Sequence, residues 1–166
     1  MNNNYLLRTM QEGDWAFVSE IYKQGIDTEN ATFQQEVPTW AQWDNGHLLK
    51  CRIIAIAENV IVGWAALLPV SSRFVYSGVA EVSVYVSAQH RGQGIGKKLL
   101  ERLIKESEAN NIWTLQAGIF PENIASISLH EKLGFRKVGF REKIGKMKNT
   151  WRDLYFYERR SEIVGI

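Results

Sequence analysis

Three glycines at alternate positions, Gly92, Gly94 and Gly96, follow a β-rich stretch and open a segment of helical periodicity. Glycine adopts positive φ angles without strain and, lacking a Cβ atom, lets another group approach the backbone closely. The first turn of a helix leaves its N–H groups unpaired and carries partial positive charge, which suits a phosphate or pyrophosphate. Arg91 and Lys97 add positive charge beside the turn. The segment therefore predicts a site for a phosphorylated ligand.

Two better-known glycine loops do not fit this spacing. The mononucleotide loop G-x-x-x-x-G-K-[ST] would need a glycine at Arg91 and a serine or threonine at Lys98. The dinucleotide fingerprint G-x-G-x-x-G would need its third glycine at Lys97 or Leu99. The pattern that fits is R-x-x-G-x-G over residues 91–96, directly after a V-x-V strand end.

The elements around the turn predict a mixed sheet with helices. Residues 79–86 alternate strictly, which predicts a strand with Glu81, Ser83 and Tyr85 on one face and valines on the other. A second helix is predicted at residues 123–133, ended by Gly134. The amphipathic helix after the turn carries the stripe Ile95, Leu99, Leu100, Leu103 and Ile104, and further strands are predicted at residues 5–8, 52–57, 60–68, 113–119, 138–144 and 151–158.

The connections carry further expectations. Asp14 is placed to cap a first helix, and the dipeptide at 58–59 predicts a two-residue hairpin turn. Residues 27–46 read as irregular, with Trp40 and Trp43 either covering the core or lining a site, and residues 145–149 are expected to join the last two strands. This order of elements predicts an α/β (α+β) fold, with a mixed, largely antiparallel central sheet flanked by helices.

The glycine turn resembles the acetyl-CoA-binding motif of the GNAT superfamily of N-acetyltransferases. Residues 123–135 read N-I-A-S-I-S-L-H-E-K-L-G-F, which is similar to the N-x-x-[SA]-x-x-L-[YH]-x-x-x-G-F helix of that superfamily. The stretches A-E-V-S-V-Y-V (80–86), S-L-H-E (128–131) and W-R-D-L (151–154) resemble the phosphinothricin and methionine sulfoximine N-acetyltransferases in particular. The resemblance covers essentially the whole chain and implies a GNAT-like fold with acetyl-CoA as cosubstrate.

The resemblance implies which residues hold the cosubstrate. Backbone groups of the strand end would pair with the pantetheine arm, the glycine turn would bind the pyrophosphate, and the second motif would add an amide and a lysine near the cofactor. The cofactor-binding residues expected on this basis are Val84, Tyr85, Val86, Arg91, Gly92, Gln93, Gly94, Ile95, Gly96, Lys97, Asn123 and Lys132.

Two side chains are candidates for proton transfer. Glu81 lies three residues before the cofactor-binding strand end, and an ammonium substrate needs a carboxylate, directly or through water, to remove its proton. His130 stands where many GNAT enzymes have a tyrosine that protonates the departing thiolate, and histidine serves as acid or base near neutral pH. A solvated glutamate and a hydrogen-bonded helix histidine are the alternatives. Cys51, the single thiol, lies in an apolar run that indicates core, so direct attack in a ternary complex is expected.

The acceptor side is expected to recognise an amino-acid-like amine. Arg73 precedes the strand of Glu81, and its planar guanidinium would suit a substrate carboxylate, although an ordinary solvated arginine is the alternative. Phe33 and Phe74, together with Trp40, are candidates for the pocket wall or for packing. A protein N-terminus, a lysine or a polyamine remains open as another class of acceptor.

Two functions other than acetyl transfer also remain open. Residues 132–160 hold 10 basic and 3 acidic residues, with aromatic residues interleaved, as in some nucleic-acid-binding surfaces. Because those aromatics fall in a predicted strand, and because a basic surface also attracts phosphorylated coenzyme A, no nucleic-acid partner is expected. A catalytically silent acetyl-CoA sensor is the other reading, and the presence of both Glu81 and His130 argues against it.

Composition limits the broad class of protein. The chain has 166 residues, 45% of them apolar and 23% charged, which predicts one compact domain. The resemblance implies that this single domain, residues 1–166, is an N-acetyltransferase domain. Its 20 basic and 18 acidic residues give a net charge of +2. The single cysteine, the lack of an apolar run after residues 1–5, and the lack of a membrane-length segment favour a cytoplasmic protein that binds no membrane.

The spacing of His47, His90 and His130 predicts no metal site. The resemblance implies a homodimer.

Overall fold

The computed structural model describes residues 5–166; residues 1–4, which belong to the start judged not to be a signal peptide, lie outside it. Within the described residues, seven strands form one sheet in the order β1-β2-β3-β4-β5-β7-β6. The strands are β1 (Leu6–Thr9), β2 (Ile53–Ala57), β3 (Val60–Pro69), β4 (Val79–Val86), β5 (Thr114–Ile119), β6 (Arg136–Met147) and β7 (Thr150–Arg160), and the α-helices are α1 (Trp15–Asp27), α2 (Trp40–Gly46), α3 (Ile95–Ala109) and α4 (Ile124–Lys132).

The pairing of the strands confirms the expected mixed, largely antiparallel sheet. β4 and β5 are parallel, and every other neighbouring pair in the described sheet is antiparallel. A parallel pair needs a crossover, and here the crossover from β4 to β5 contains the glycine turn and α3. The topology therefore fixes the turn at the end of β4.

Helices cover both faces of the sheet. On one face, the predicted stripe of α3 is buried, and Leu99, Leu100 and Leu103 are fully enclosed against β-strand valines that include Val82 and Val84. Residues of α4 pack against this same cluster.

On the other face, α1 and α2 pack over an aromatic cluster. Trp43 and Trp64 are almost completely buried there, with Val18 of α1 between the helix and the sheet. The indole of Trp43 meets that of Trp64 edge to face at 5.7 Å. Trp43 therefore belongs to the core, while Trp40 stacks on it and is only partly buried.

The two predicted hairpins form, but one turn is shorter than expected. Glu58 and Asn59 join β2 to β3 with φ angles of 49° and 65°, as a two-residue turn of positive φ requires. The second turn is the pair 148–149, and the prediction of a turn from residue 145 is wrong because Gly145 lies within β6. A Cβ atom at Gly145 would lie 2.6 Å from Cε1 of Phe33, so the glycine is required by this close approach.

The structure corrects two further expectations. The segment 27–46 is not wholly irregular: α2 forms in it, and the hydroxyl of Thr39 accepts a hydrogen bond from the backbone N–H of Gln42 at the helix start. Asp14 stands at the N-terminal boundary of α1 without capping it by a side-chain hydrogen bond. Its carboxylate instead pairs with Arg8 at 2.7 Å and accepts from the Gln11 N–H at 2.8 Å, because a short 3-10 turn precedes the helix.

Two other properties of the described residues bear on the sequence-based expectations. Cys51 is buried as predicted, and burial raises the pKa of its thiol to about 11, so the thiolate that a nucleophile requires is scarce at neutral pH. Within residues 5–166, the helices lack the length and apolar character needed to cross a bilayer.

Candidate active site

β4 and β5 separate partway along their length. They pair at three positions, and the last pair in the described sheet joins Glu81 to Gln116. β4 continues five residues further to Val86 while remaining paired with β3, and β5 continues to Ile119 while remaining paired with β7. A wedge therefore opens between the two strands beyond Glu81, and on that side the backbone of β4 is available to an extended ligand.

Glu81 stands at the closed end of this wedge. Its side chain is exposed, but the protein around the carboxyl still raises its pKa through desolvation. Burial likewise raises the pKa of the Tyr85 phenol, with smaller contributions from Tyr22, the opposing Thr32 hydroxyl and the charge of Glu81. Glu81 and Tyr85 thus share the α1-facing side of β4, as strand alternation predicts, and Thr32 belongs to the same neighbourhood.

The glycine turn lies at the other end of β4. Gly92 and Gly94 have φ angles of +76° and +84°, and Gly94 is the residue directly before α3. No described atom lies within 4 Å of a Cβ atom added at either position, so positive φ, rather than crowding, requires glycine here. Gly96 is helical, and an added Cβ would make only ordinary contacts with Leu129 and Val86.

The start of α3 carries the donors expected of an anion site. The first backbone hydrogen bond of the helix runs from the N–H of Lys98 to the carbonyl of Gly94, at 3.2 Å. The preceding N–H groups, those of residues 95–97, therefore lie at the positive end of the helix without intrahelical acceptors. The side chains of Arg91 and Lys97 are exposed beside them, and Arg91 donates to the carbonyl of Val86 at 3.4 Å.

Both polar atoms of the Asn123 side chain form hydrogen bonds within the protein. Its Oδ1 accepts from the backbone N–H of Ser126 at 3.1 Å and so caps α4, while Nδ2 donates to the carbonyl of Asn30 at 3.0 Å. One hydrogen of Nδ2 remains for another acceptor. Lys132 is exposed at the opposite end of this nine-residue helix, so the structure does not bring it together with Asn123.

His130 is buried on α4 with one ring nitrogen bonded. Nδ1 lies 2.8 Å from the carbonyl oxygen of Ser126, and because a carbonyl only accepts, Nδ1 carries the hydrogen. Nε2 is buried without a hydrogen-bond partner among the described residues, and the ring packs edge to face on Phe135 at 4.9 Å. Burial lowers the pKa of His130, which favours a neutral imidazole with its lone pair on Nε2.

The predicted acceptor-side residues fall into two groups. Arg73 and Phe74 lie in the exposed connection before β4, where the Arg73 guanidinium sits 5.6 Å from the ring of Tyr76 and Phe74 is 88% exposed. Phe33 is elsewhere: its ring packs on Phe120 at 4.8 Å and over Gly145. Within the described contacts, Phe33 does not meet Arg73 or Phe74.

Arg152 and the cleft beside it were not predicted from the sequence. A cleft of about 520 Å³ opens between the chain after α1 and the end of the β6–β7 hairpin, lined by Thr28, Glu29, Asn30, Glu122, Met147, Lys148, Thr150 and Arg152. The cleft does not include Glu81 or the glycine turn. The only signal for Arg152 was the W-R-D-L stretch, which by itself gives no role.

Metal ligation has no support in the described part of the chain. Residues 5–166 contain no group of three or more His, Cys, Asp and Glu side chains arranged to hold a metal ion. At the wedge, the described residues offer backbone hydrogen-bond donors and the carboxylate of Glu81.

Known proteins share this sequence and architecture. The pattern of the acetyltransferase (GNAT) family matches residues 15–135. An L-methionine sulfoximine/L-methionine sulfone acetyltransferase of Salmonella typhimurium is 31% identical over 165 residues, covering 92% of each chain.

Two solved structures superpose on nearly the whole chain. A phosphinothricin acetyltransferase of Sinorhizobium meliloti in complex with acetyl-CoA has a TM-score of 0.86 at 28% identity, covering 97% of this chain and 90% of its own. A ribosomal-protein-alanine N-acetyltransferase of Brucella melitensis has a TM-score of 0.86 at 30% identity, with coverages of 94% and 99%. With the family pattern matched over most of its length, this chain belongs to the GNAT family of acetyltransferases.

Proposed function

We propose that this acetyltransferase moves the acetyl group of acetyl-CoA to the amine of a small amino-acid-like substrate, of the phosphinothricin or methionine sulfoximine type, by direct attack in a ternary complex. The observation that carries the proposal is the wedge beyond the Glu81–Gln116 pair, with a carboxylate at its closed end and the start of α3 at its open end. Acetyl-CoA supplies an acetyl group activated as a thioester.

The residues at the wedge fit such a cosubstrate. The N–H groups of residues 95–97 and the Arg91 guanidinium suit a pyrophosphate, because both offer hydrogen-bond donors and positive charge. The backbone of residues 82–86 runs from this anion site to Glu81, and it would bind the pantetheine arm along the unpaired side of β4. Gln93 and the second N–H of Asn123 would complete the site, while Lys132 would add only distant charge.

Glu81 is the proposed base. Transfer forms a bond between the amine nitrogen and the acetyl carbon and breaks the bond to sulfur. An ammonium substrate loses two protons from nitrogen in the process: Glu81 would accept the first before attack and pass it to water, and the second would reach the coenzyme A thiolate through His130. When ionised, a carboxyl whose pKa is raised by desolvation is a better proton acceptor than an ordinary glutamate. The backbone N–H groups of the β4 end would stabilise the charge that develops on the carbonyl oxygen.

The proposed role of His130 is to relay a proton: it accepts the proton first as a base, because it holds none at Nε2 in the resting state. Its Nδ1–H donates a hydrogen bond to the carbonyl of Ser126. In the neutral imidazole Nε2 therefore has a lone pair and no hydrogen to donate. The described contacts contain no direct bond between His130 and Glu81, so the relay needs a bridging water or the substrate itself. After accepting a proton at Nε2, the imidazole would return it to the coenzyme A thiolate.

Arg73 is the proposed partner of a substrate carboxylate. Its guanidinium is exposed, lies against Tyr76 and has no ion pair within the described residues, so its charge is available to a ligand. Phe74 beside it would contact the acceptor side chain, whereas Phe33 would act through packing. We expect the active protein to be a cytoplasmic homodimer, as its resemblance implies, and sedimentation velocity tests the dimer.

A screen of acceptors tests the proposal. Thiol release from acetyl-CoA is followed with methionine sulfoximine, phosphinothricin, the common amino acids, a polyamine and an alanine-terminated peptide. Faster thiol release with an amino-acid-like amine than with the other acceptors supports the proposal. Faster thiol release with the peptide supports the second candidate function, acetylation of a protein N-terminus, which the likeness to the Brucella melitensis enzyme favours. Binding of acetyl-CoA without release by any acceptor would instead indicate a sensor.

Among the alternative functions, nucleic-acid binding has the least structural support. Arg136, Arg152 and Arg159, which contribute to the basic excess, are paired with Glu158, Glu122 and Glu108. Among the interleaved aromatics, Tyr157 is fully buried, and its hydroxyl donates to Glu131 at 2.9 Å. Salt-sensitive binding of a generic oligonucleotide would revive this reading.

A further inference from the structure

The chain between α1 and α2 crosses the site as an irregular segment, residues 28–33, called the strap below. At its far end, Thr32 reaches the phenols of Tyr22 and Tyr85, on the face of β4 that also carries Glu81. Next to it, Phe33 packs on Phe120 and over the backbone of β6. The strap therefore borders the face of β4 that carries Tyr85 and Glu81.

One guanidinium fastens this strap. Arg152 of β7 donates to the carbonyl of Glu29 at 2.7 Å and to Oδ1 of Asn30 at 3.2 Å. The same group donates to Oε2 of Glu122 at 3.2 Å and lies 4.1 Å from the ring centroid of Phe120. Arg152 thus joins the strap to the connection between β5 and α4 by three hydrogen bonds and a stacked aromatic ring.

The strap is also tied to the second sequence motif. Asn30 is held from two sides, because its side-chain oxygen accepts from Arg152 and its carbonyl accepts from Nδ2 of Asn123. Asn123 in turn caps α4, the helix that carries His130. The strap is therefore linked through Asn123 to the start of α4.

The cluster around Arg152 differs from a surface ion pair. Its side chain is only 16% exposed, whereas the nearby pair of Lys148 and Glu29 is more than half exposed on both sides and contributes little in water. A planar group with several fixed donors is needed to reach two carbonyl-type oxygens and a carboxylate while stacking on a ring. Lysine, as a single point charge, cannot reproduce this arrangement.

We propose that Arg152 is a positioning residue for the acceptor: it fixes the strap so that Thr32 stays against Tyr22 and Tyr85, on the face of β4 that carries Glu81. The inference rests on the proposed function for the identity of the acceptor, but not for the mechanical role of Arg152. Loss of the guanidinium is expected to loosen the strap and to weaken acceptor binding more than acetyl-CoA binding, because the glycine turn lies outside the cluster.

Three variants of the whole chain test this role. Arg152→Gln removes the charge and its fixed donors, Arg152→Lys keeps the charge alone, and Arg141→Gln removes one exposed charge from the same hairpin as a matched control. Hydrogen exchange of the strap amides is expected to be about tenfold or more faster in Arg152→Gln, consistent with losing hydrogen bonds to a charged group. Arg152→Lys is expected to lie between Arg152→Gln and the wild type, and Arg141→Gln to match the wild type.

Kinetics separate positioning from general loss of structure. In Arg152→Gln, the KM for the acceptor is expected to rise about tenfold while the KM for acetyl-CoA stays within about twofold. Unchanged exchange of the strap, or equal increases in both KM values, would overturn the proposal. If Arg152→Gln does not fold, Arg152→Lys and Asn30→Ala repeat the exchange measurement, and wild-type exchange in both overturns it.

The exchange measurement needs no acceptor. A wild-type chain that acetylates no amine would contradict the proposed function, while faster exchange of the strap in Arg152→Gln would still support the mechanical role of Arg152. A failure of the proposed acetyl transfer can therefore be told apart from a failure of the proposed role of Arg152.

Discussion

Glu81 and Gln116 form the last backbone pair between the two parallel strands of the described sheet. The position of this pair matters for the chemistry proposed for Glu81, because β4 continues beyond Glu81 without a partner strand on its β5 side. A carboxylate at the closed end of a wedge lies where an acceptor amine could meet an extended thioester. Three proposed roles, those of Glu81 as the base, of the glycine turn as the anion site and of His130 as the proton relay, can each be tested by one substitution.

Replacing Glu81 by Gln tests the base. The substitution keeps the shape of the side chain but removes the proton acceptor, so kcat is expected to fall about 100-fold or more, the usual contribution of a general base. The acid limb of the pH profile in the wild type is expected above the ordinary range of glutamate, because desolvation raises the pKa of Glu81. Steady-state rates from pH 5 to 9 measure both effects.

Ser83→Ala, on the same face of β4, is the control for the Glu81 substitution. It is expected to keep kcat within about threefold of the wild type, since it removes no general base. A Glu81→Gln enzyme with the rate and pH profile of the wild type would remove Glu81 from the mechanism.

Replacing Gly94 by Ala tests the anion site. Gly94 has a φ of +84° directly before α3, and a side chain in that conformation costs about 1 kcal/mol or more. The strain is expected to shift the first N–H groups of the helix and to weaken coenzyme A binding about tenfold, as measured by calorimetry.

Gly46→Ala, at the end of α2, is the matched control for Gly94→Ala. No described atom lies within 4 Å of a Cβ atom added there, and its φ lies outside the left-handed region. Its affinity for coenzyme A is expected to equal that of the wild type. Equal affinities in all three proteins would contradict the assignment of the anion site.

Replacing His130 by Gln tests the proton relay. If Nε2 accepts a proton during turnover, kcat is expected to fall about 100-fold at pH 7.5, while the dissociation constant for acetyl-CoA changes less than about twofold. Ser126→Ala is the control, because the carbonyl that holds Nδ1 belongs to the backbone and remains. An unchanged kcat and pH profile in His130→Gln would leave the histidine a structural role only.

His47 makes stability depend on pH. Burial lowers its pKa to about 4, so between pH 6.5 and pH 4 the unfolded chain binds a proton that the folded chain does not. The free energy of unfolding is therefore expected to fall as the pH falls through this window, by up to about 3 kcal/mol from this group.

His47→Phe keeps a ring stacked on Trp43 and removes the titration. The variant is expected to lose less stability than the wild type between pH 6.5 and 4, as measured by urea unfolding at several pH values. A parallel loss of stability in the two proteins would show that another group is responsible.

The sequence predicted the elements whose local signals agree with their packing. Strict alternation identified β4 with its observed bounds, and the stripe Leu99, Leu100 and Leu103 identified the buried face of α3. The glycine turn was recognisable because positive φ angles restrict residue types. The prediction of a cofactor side rests on contiguous motifs of this kind.

Features that depend on distant contacts were not predictable in this way. α2 was missed because its aromatic residues have no clear periodicity, although the Thr39–Gln42 capping pair was a usable signal. Gly145 looked like a turn residue, but it is needed because the ring of Phe33, more than a hundred residues away, packs on it. Arg152 gains its role from three segments that meet only in the fold.

Mass spectrometry of the reaction mixture can show whether acetyl transfer to an amino-acid-like amine takes place and depends on Glu81. Purified protein is incubated with acetyl-CoA and methionine sulfoximine, and the N-acetylated amine and free coenzyme A are quantified together. Equal amounts of the two products are expected, formed with the wild type and about 100-fold more slowly with Glu81→Gln. Coenzyme A release without any acetylated amine, or equal rates in the two proteins, would contradict this expectation.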